Sequence, residues 1–248
     1  MINLGVNIDH IATLRNARGD FFPSILHFAS IVESSGRDFI TIHLREDRRH
    51  IKDHDLTLLR ENITTSLNLE MACNNDVLGK ALSACPHKVT LVPERREEVT
   101  TEGGLDLKNN LSRIKDFTSA LKGKGIIVSL FIEADEDLIE KTLDIGADEV
   151  EIHTGSYSLK TDERERTAIL KKIGDFTDIA VKSGIKVCAG HGLNYHNVGR
   201  ICGISGISEL NIGYSIIARS LEVGLSSAVS EMRANIDKYE LLNCVVKK

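Results

Sequence analysis

Ile2-Asn3-Leu4-Gly5-Val6-Asn7-Ile8-Asp9-His10 alternates apolar residues with small or polar ones and ends on groups that accept, donate or carry charge. In an extended strand successive side chains face opposite ways, so this stretch has one aliphatic face and one polar face. The pattern recurs in Phe39-Ile40-Thr41-Ile42-His43-Leu44-Arg45, in Ser66-Leu67-Asn68-Leu69-Glu70 and in Glu149-Val150-Glu151-Ile152-His153. Strands of a helix-covered parallel sheet usually read apolar on both faces. A polar face repeated from strand to strand carries a burial cost, and that cost points to a site inside the sheet.

Working outward, strands are predicted at residues 2–8, 39–44, 66–71, 88–92, 126–132, 149–153, 186–190 and 209–212. Helical periodicity fills the intervals at 22–35, 53–65, 74–84, 110–121, 136–143 and 161–182, with two more helices at 214–223 and 225–242. The first of these carries Ile25, Phe28, Ala29 and Val32 at helical spacing and stops before Gly36. Eight strand–helix alternations without a linker predict one α/β domain over residues 1–248, a (β/α)8 TIM barrel with extra helices. A dinucleotide-binding open sheet would need G-x-G-x-x-G after the first strand, where this chain has Asn7-Ile8-Asp9-His10. Two insertions exceed a minimal barrel: 93–109, with Thr100-Thr101-Glu102-Gly103-Gly104 as either a lid or a surface loop, and 154–182.

Composition narrows the function classes. At 248 residues, 42% hydrophobic and 27% charged, with no Trp and 4% aromatics, the chain must pack mainly aliphatic side chains. A net charge of −5 argues against a general nucleic-acid binder while leaving room for a local basic pocket. The chain opens directly on a strand and has no apolar run of spanning length, so a cytoplasmic protein without membrane association is expected. The five cysteines form no C-x-x-C pair and read as reduced packing residues, with no structural zinc.

Barrel enzymes place their chemistry at the C-terminal strand ends. In order these are Asn7, Asp9 and His10; His43 and Arg45; Glu70; Glu94; Glu133; Glu151 and His153; His191; and Gly213. His43, Glu70 and His191 come from three strands and converge across one mouth as acid–base groups. His153 reads equally well as catalytic or structural, and His27, His54, His87 and His196 as structural or solvated. Ala189-Gly190-His191-Gly192-Leu193-Asn194 and Asn211-Ile212-Gly213-Tyr214 form the usual barrel phosphate site, with glycine backbone and a helix N-terminus facing the anion. Arg45 and His50 offer a second anion site. Lys88 and Lys186 stand at strand starts, the wrong rim for Schiff-base chemistry.

Read together, Asn7-Ile8-Asp9-His10-Ile11-Ala12-Thr13-Leu14-Arg15-Asn16-Ala17-Arg18, Thr41 through Ile51, Asn68-Leu69-Glu70-Met71-Ala72, Val92 through Asp106, Glu151-Ile152-His153-Thr154-Gly155, Ala189 through Asn194 and Leu210-Asn211-Ile212-Gly213 resemble the pyridoxine 5′-phosphate synthase family, in family order over nearly the whole chain. The resemblance implies a transferase-class condensation of 3-amino-2-oxopropyl phosphate with 1-deoxy-D-xylulose 5-phosphate. The pyridine ring of the vitamin B6 skeleton closes, and phosphate and water leave. It implies no cofactor and no metal, with the imine nitrogen supplied by the amino-ketone. By the same resemblance His43 and Glu70 accept protons, His191 donates one, and Glu151 supports charge in the transition states. Asn7, Arg18, Gly192, Gly213 and Tyr214 would hold the amino-ketone phosphate; Asp9, His10, Arg45, His50 and Thr100 the deoxyxylulose phosphate. It further implies a homo-octamer built by the extra helices, a lid after strand four, and a hydrophilic barrel interior through which water leaves. Many relatives carry His where this chain has Tyr214, a harmless change if the contact is a backbone N–H. The alternative is a divalent-metal lyase or epimerase acting on a sugar phosphate. A phosphate-ligand sensor without turnover is a third reading.

Overall fold

The computed structural model describes residues 1–36, 38–94 and 103–246, with side chains to residue 242. Its eight parallel strands are β1 (Asn3–Asn7), β2 (Phe39–His43), β3 (Ser66–Met71), β4 (Lys88–Leu91), β5 (Ile127–Ile132), β6 (Glu149–His153), β7 (Lys186–Gly190) and β8 (Ile207–Ile212). They pair in sequence order, and β8 returns to β1, closing the barrel. The helices are α1 (Asp9–Arg18), α2 (Ile25–Ser34), α3 (Asp53–Asn62), α4 (Asn75–Ala84), α5 (Leu107–Lys122), α6 (Asp137–Ile145), α7 (Gly155–Leu159), α8 (Glu163–Lys182), α9 (Val198–Cys202), α10 (Tyr214–Val223) and α11 (Leu225–Val246).

The strands fall where the alternation puts them. The main correction is α1, which the alternating pattern hides by carrying the extended reading through Asp9 and His10. Asn7 ends the strand early: its side-chain oxygen accepts the Asp9 N–H at 2.9 Å, closing an Asx-type turn that starts the helix. The predicted long helix over 161–182 is α8, preceded by the separate short α7, and the short α9 lies in a connection read as a turn.

The two faces of the strands divide the protein into an oily shell and a polar lumen. Leu4, Val6, Ile40, Ile42, Leu67, Leu69, Val128, Leu130, Val150, Ile152, Val187 and Leu210 face the helices and are wholly buried. The opposite face buries Thr41, Asn68, Lys88, Thr90, Ser129, Glu149, Glu151, Glu209 and Asn211. Barrel lumens are ordinarily filled by branched aliphatics; here polar groups bond to one another across it. Thr90 donates to Asn68 at 3.0 Å, Thr41 to Asn211 at 3.1 Å, and Asn211 to Glu151 at 2.8 Å. Gly5 and Gly190 leave the room for this, since a Cβ at either would collide with the Asn211 or Glu151 side chain.

At the strand-start end, Lys88 donates to Glu149 (3.2 Å) and to Glu209, and Lys186 donates to Glu149 (2.7 Å). Two ammonium groups and two carboxylates close the floor in charge balance. Lys88 and Lys186 therefore stand on the rim opposite the mouth, as expected. Cys73, Cys85, Cys188 and Cys202 are free thiols. Among the described residues no helix is long and apolar enough to cross a membrane.

Candidate active site

A cavity opens at the C-terminal strand ends, lined by Asn7, Asp9, His10, His43, Arg45, His50, Glu70, Glu151, His191, Gly192, Gly213 and Tyr214. All four residues expected to be catalytic line it. So do all the expected anchoring residues except Arg18 and Thr100. Thr100 lies outside the described residues. Arg18 is exposed at the far end of α1 and does not line the cavity. At 1.5 Å per residue α1 carries its backbone roughly 14 Å along the helix from Asp9.

The heart of the mouth is acidic. Asp9 is fixed from two sides, accepting the Asn7 side-chain amide at 3.0 Å and the His43 backbone N–H at 2.9 Å. Burial nevertheless raises its pKa, against the lowering effect of His43 and Asn7. Glu70 is pushed well up by burial and by the neighbouring charges of Glu151 and Asp9. Burial also lifts Glu151 to about 7; Lys88 and the Asn211 amide oppose the rise, and Glu209 and Glu149 add to it. Three carboxyl groups sharing a desolvated space oppose one another's ionisation.

The imidazoles differ in surroundings. His43 lies between two carboxyl groups, its Nδ1 3.8 Å from Glu70 Oε2 and its Nε2 3.6 Å from Glu94 Oε2. His191 sits at φ +79° beside Gly192 at +76°, a left-handed pair that turns the chain sharply after β7. Burial and the neighbouring His153 lower the His191 pKa to about 4, with Glu133 pulling the other way. The rings of His153 and His191 lie 4.9 Å apart, and His153 Nδ1 donates to Glu133 Oε1 at 2.7 Å. His153 is thus bonded and next to the mouth without lining it, which leaves both of its sequence readings open.

Two anion-friendly places flank this acidic centre. In the first, Gly192 and Gly213 bring two loops together, and Ser215 Oγ ties them by donating to the Leu193 carbonyl at 2.8 Å. Gly213 caps α10, whose opening N–H groups have no intrahelical acceptor. The Tyr214 ring is largely exposed and meets His10 edge-on, with centroids 5.4 Å apart. The second place is formed by Arg45, His10 and His50. His50 Nδ1 lies 2.8 Å from Thr13 Oγ1, and burial with nearby His10 and Arg45 lowers its pKa to about 4.

Residues absent from the sequence reading build the second place. Asn16 donates to the carbonyls of Arg49 (2.9 Å) and His50 (2.7 Å), clamping the loop after β2 onto α1. A buried bidentate pair, Arg15 to Asp55 at 2.6 and 2.8 Å, locks α1 to α3. Thr13, Arg15 and Asn16 lie in an interval for which no helix is predicted from the sequence. Asn211 also lines the cavity, and its place on the polar face of strand eight could have flagged it.

Among the described residues, the His, Cys, Asp and Glu side chains whose ligating atoms gather most closely are Glu149, Cys188 and Glu209, all within 4.8 Å of one another. They belong to the floor, where Lys88 already bonds both carboxylates.

Residues 4–238 match the family described as pyridoxal phosphate biosynthesis protein PdxJ. A pyridoxine 5′-phosphate synthase of Prochlorococcus marinus (strain MIT 9515) is 52% identical over 236 residues, 95% of this chain and 99% of the relative. A protein of the same description from Geobacter sulfurreducens is 48% identical over 239 residues, 96% of this chain and all of the relative. Among solved structures, the KGPDC of Streptococcus mutans superposes with a TM-score of 0.66 at 13% identity, over 97% of this chain and 99% of that one, a likeness of fold alone.

Proposed function

The chain belongs to the PdxJ family of pyridoxal phosphate biosynthesis proteins, and from that membership we propose that its mouth condenses 3-amino-2-oxopropyl phosphate with 1-deoxy-D-xylulose 5-phosphate as a pyridoxine 5′-phosphate synthase. It is a biosynthetic enzyme acting on small phosphorylated substrates. The observation that carries the reading is the single cavity in which an acidic centre lies between two anion-friendly places.

The two places match the two phosphates. The amino-ketone phosphate takes the backbone groups at Gly192, Gly213 and Tyr214, with Asn7 at its edge. The ketose phosphate takes Arg45, His10 and His50, with Asp9 orienting the sugar. Arg18 receives no role in this arrangement, and Thr100 keeps the one inferred from the resemblance.

The acidic centre suits an amine that must lose its proton before it can attack a carbonyl. An ammonium entering among Glu70, Glu151 and Asp9 favours their ionised forms, and these unusually basic carboxylates can then take the proton from nitrogen. Glu70 and His43 are the acceptors, and Glu151 remains as the anion that balances positive charge on the imine. His191, its pKa lowered to about 4, is neutral at pH 7. A phosphate dianion bound at the adjacent Gly192 favours its imidazolium, which loads it to protonate the leaving oxygen as water or phosphate departs. No lysine or bound cofactor is called on, because the nitrogen of the imine belongs to the substrate.

The same reading places the enzyme in the cytoplasm as a homo-octamer. Exposed apolar side chains at Phe21, Phe22, Leu159 and Leu221 support assembly. The test mixes chelator-treated protein with both substrates and follows pyridoxine phosphate and free phosphate together. Equal amounts of the two are expected. Activity that vanishes on chelation and returns with a divalent metal alone would overturn the reading in favour of a metal-dependent lyase or epimerase.

A further inference from the structure

Glu94 follows β4, and its side chain is as deeply buried as that of Arg45 beside it, 2% against 3% exposed, while Glu70 across His43 is 18% exposed. It does not itself line the cavity. Its two oxygens face two residues that do. Oε1 accepts the Glu46 backbone N–H at 3.0 Å and lies 3.4 Å from Arg45 Nε. Oε2 lies 3.6 Å from His43 Nε2, and these two buried atoms have no hydrogen-bond partner among the described residues. A donor and an acceptor left facing each other at this spacing form a bond once they close by a few tenths of an ångström, as catalytic contacts do when a site fills.

We propose that Glu94 is the positioning residue of the acid–base centre, holding the proton of neutral His43 on Nε2 so that Nδ1 presents its lone pair towards Glu70 and the substrates. An ionised carboxylate only accepts hydrogen bonds, so the nitrogen facing it must carry the hydrogen. Burial works against ionisation of Glu94, but His43, Arg45 and the Glu46 N–H outweigh it and lower its pKa. On the other side Nδ1 lies 3.8 Å from Glu70, whose pKa burial and like charges push well above the ordinary value. The result is one directional chain: the Glu94 carboxylate accepts from Nε2–H, and Nδ1 accepts from the Glu70 carboxyl or from substrate. The logic is that of any carboxylate behind a histidine base, which fixes tautomer and ring orientation. Because Oε1 meets Arg45, the same carboxylate also sets the anchor of the second anion place.

The role of His43 as a base rests on the proposed function, whereas its tautomer can be read without any substrate. Nitrogen NMR of 15N-histidine-labelled protein at pH 8, with the His43 signals assigned by their loss in His43→Asn, is expected to show Nε2 protonated and Nδ1 bare. In Glu94→Gln the side-chain amide can donate to Nε2 and reverse the tautomer. Its kcat should fall roughly 10²–10⁴-fold, with KM for the amino-ketone phosphate unchanged and Glu94→Asp restoring part of the rate. A wild-type spectrum with the proton on Nδ1 overturns the proposal, even if Glu94→Gln fails to fold. So does a folded Glu94→Gln enzyme with wild-type kcat. The expected tautomer in a protein that makes no pyridoxine phosphate would overturn the functional reading and leave the positioning role standing.

Discussion

Glu149 and Glu151 stand two residues apart on β6, on the same lumen face, and both are almost completely buried. Burial raises the pKa of each, but Lys88 and Lys186 overcome it at Glu149, whose pKa ends below the ordinary value. Glu151, one layer higher, accepts from the Asn211 amide and feels the more distant Lys88 charge, but burial and the charges of Glu209 and Glu149 leave it near 7. One strand thus supplies a permanently ionised carboxylate to the floor and a titrating one to the mouth. Proximity to cationic side chains makes the difference: the floor sets two lysines against two glutamates, while the mouth gathers Asp9, Glu70 and Glu151 around a space left for substrate. Buried charge stabilises a fold when it is balanced and becomes chemically useful when it is not.

The sharpest test of the mouth is Glu70→Gln. It should leave folding and phosphate binding intact and lower kcat about 10²–10⁴-fold in the two-product assay; near-normal turnover would return Glu70 to the class of structural lumen groups. The floor is tested by Lys88→Met, which leaves Glu209 only the Asn211 amide at 3.1 Å and Lys186 at 3.8 Å, and takes one of two ammonium groups from Glu149. Removing one member of a buried charge network costs about 3–5 kcal/mol, measurable by denaturant unfolding. Adding Glu209→Gln should recover part of that loss. An unchanged midpoint in the single variant would show that the floor does not depend on charge balance.

The smallest effect is in pH dependence. Glu151 titrates near 7 when folded and near about 4.3 when unfolded. Between those values the native state holds a proton the unfolded chain has lost, so stability from this group falls as pH rises towards 7. Glu151→Gln should flatten that fall. Glu149, with its lowered pKa, contributes in the opposite sense: its stabilisation is lost only on acidification, and Glu149→Gln should blunt acid unfolding. Identical pH profiles for the two variants would erase the distinction between the layers.

Much of this arrangement was legible in the chain. Alternation gave eight strand positions and their polar face, and strand-end chemistry singled out His43, Glu70 and His191, with Glu151 among the other strand-end groups. The lysines at the starts of strands four and seven were rightly set on the far rim. Asp9 and His10 were found as site residues although the helix beginning at Asp9 was missed, because a strand end and an Asx-started helix can deliver side chains to the same place. Arg18, at the far end of α1, stays outside the cavity lining. Glu94 was legible only as a strand-end carboxylate, since the Arg45 and His43 it faces lie 49 and 51 positions earlier in the chain.

The sequence by itself determined the barrel, the polar lumen and the residue types at the mouth, because side-chain alternation and helical periodicity are local properties of the chain. The tertiary structure alone decided which carboxylates meet a lysine, which meet one another, and which histidine nitrogen faces Glu94. Those outcomes depend on through-space distance and desolvation between strands far apart in sequence, and the same residue type, at Glu149 and at Glu151, becomes a counter-ion in one layer and a titrating group in the next.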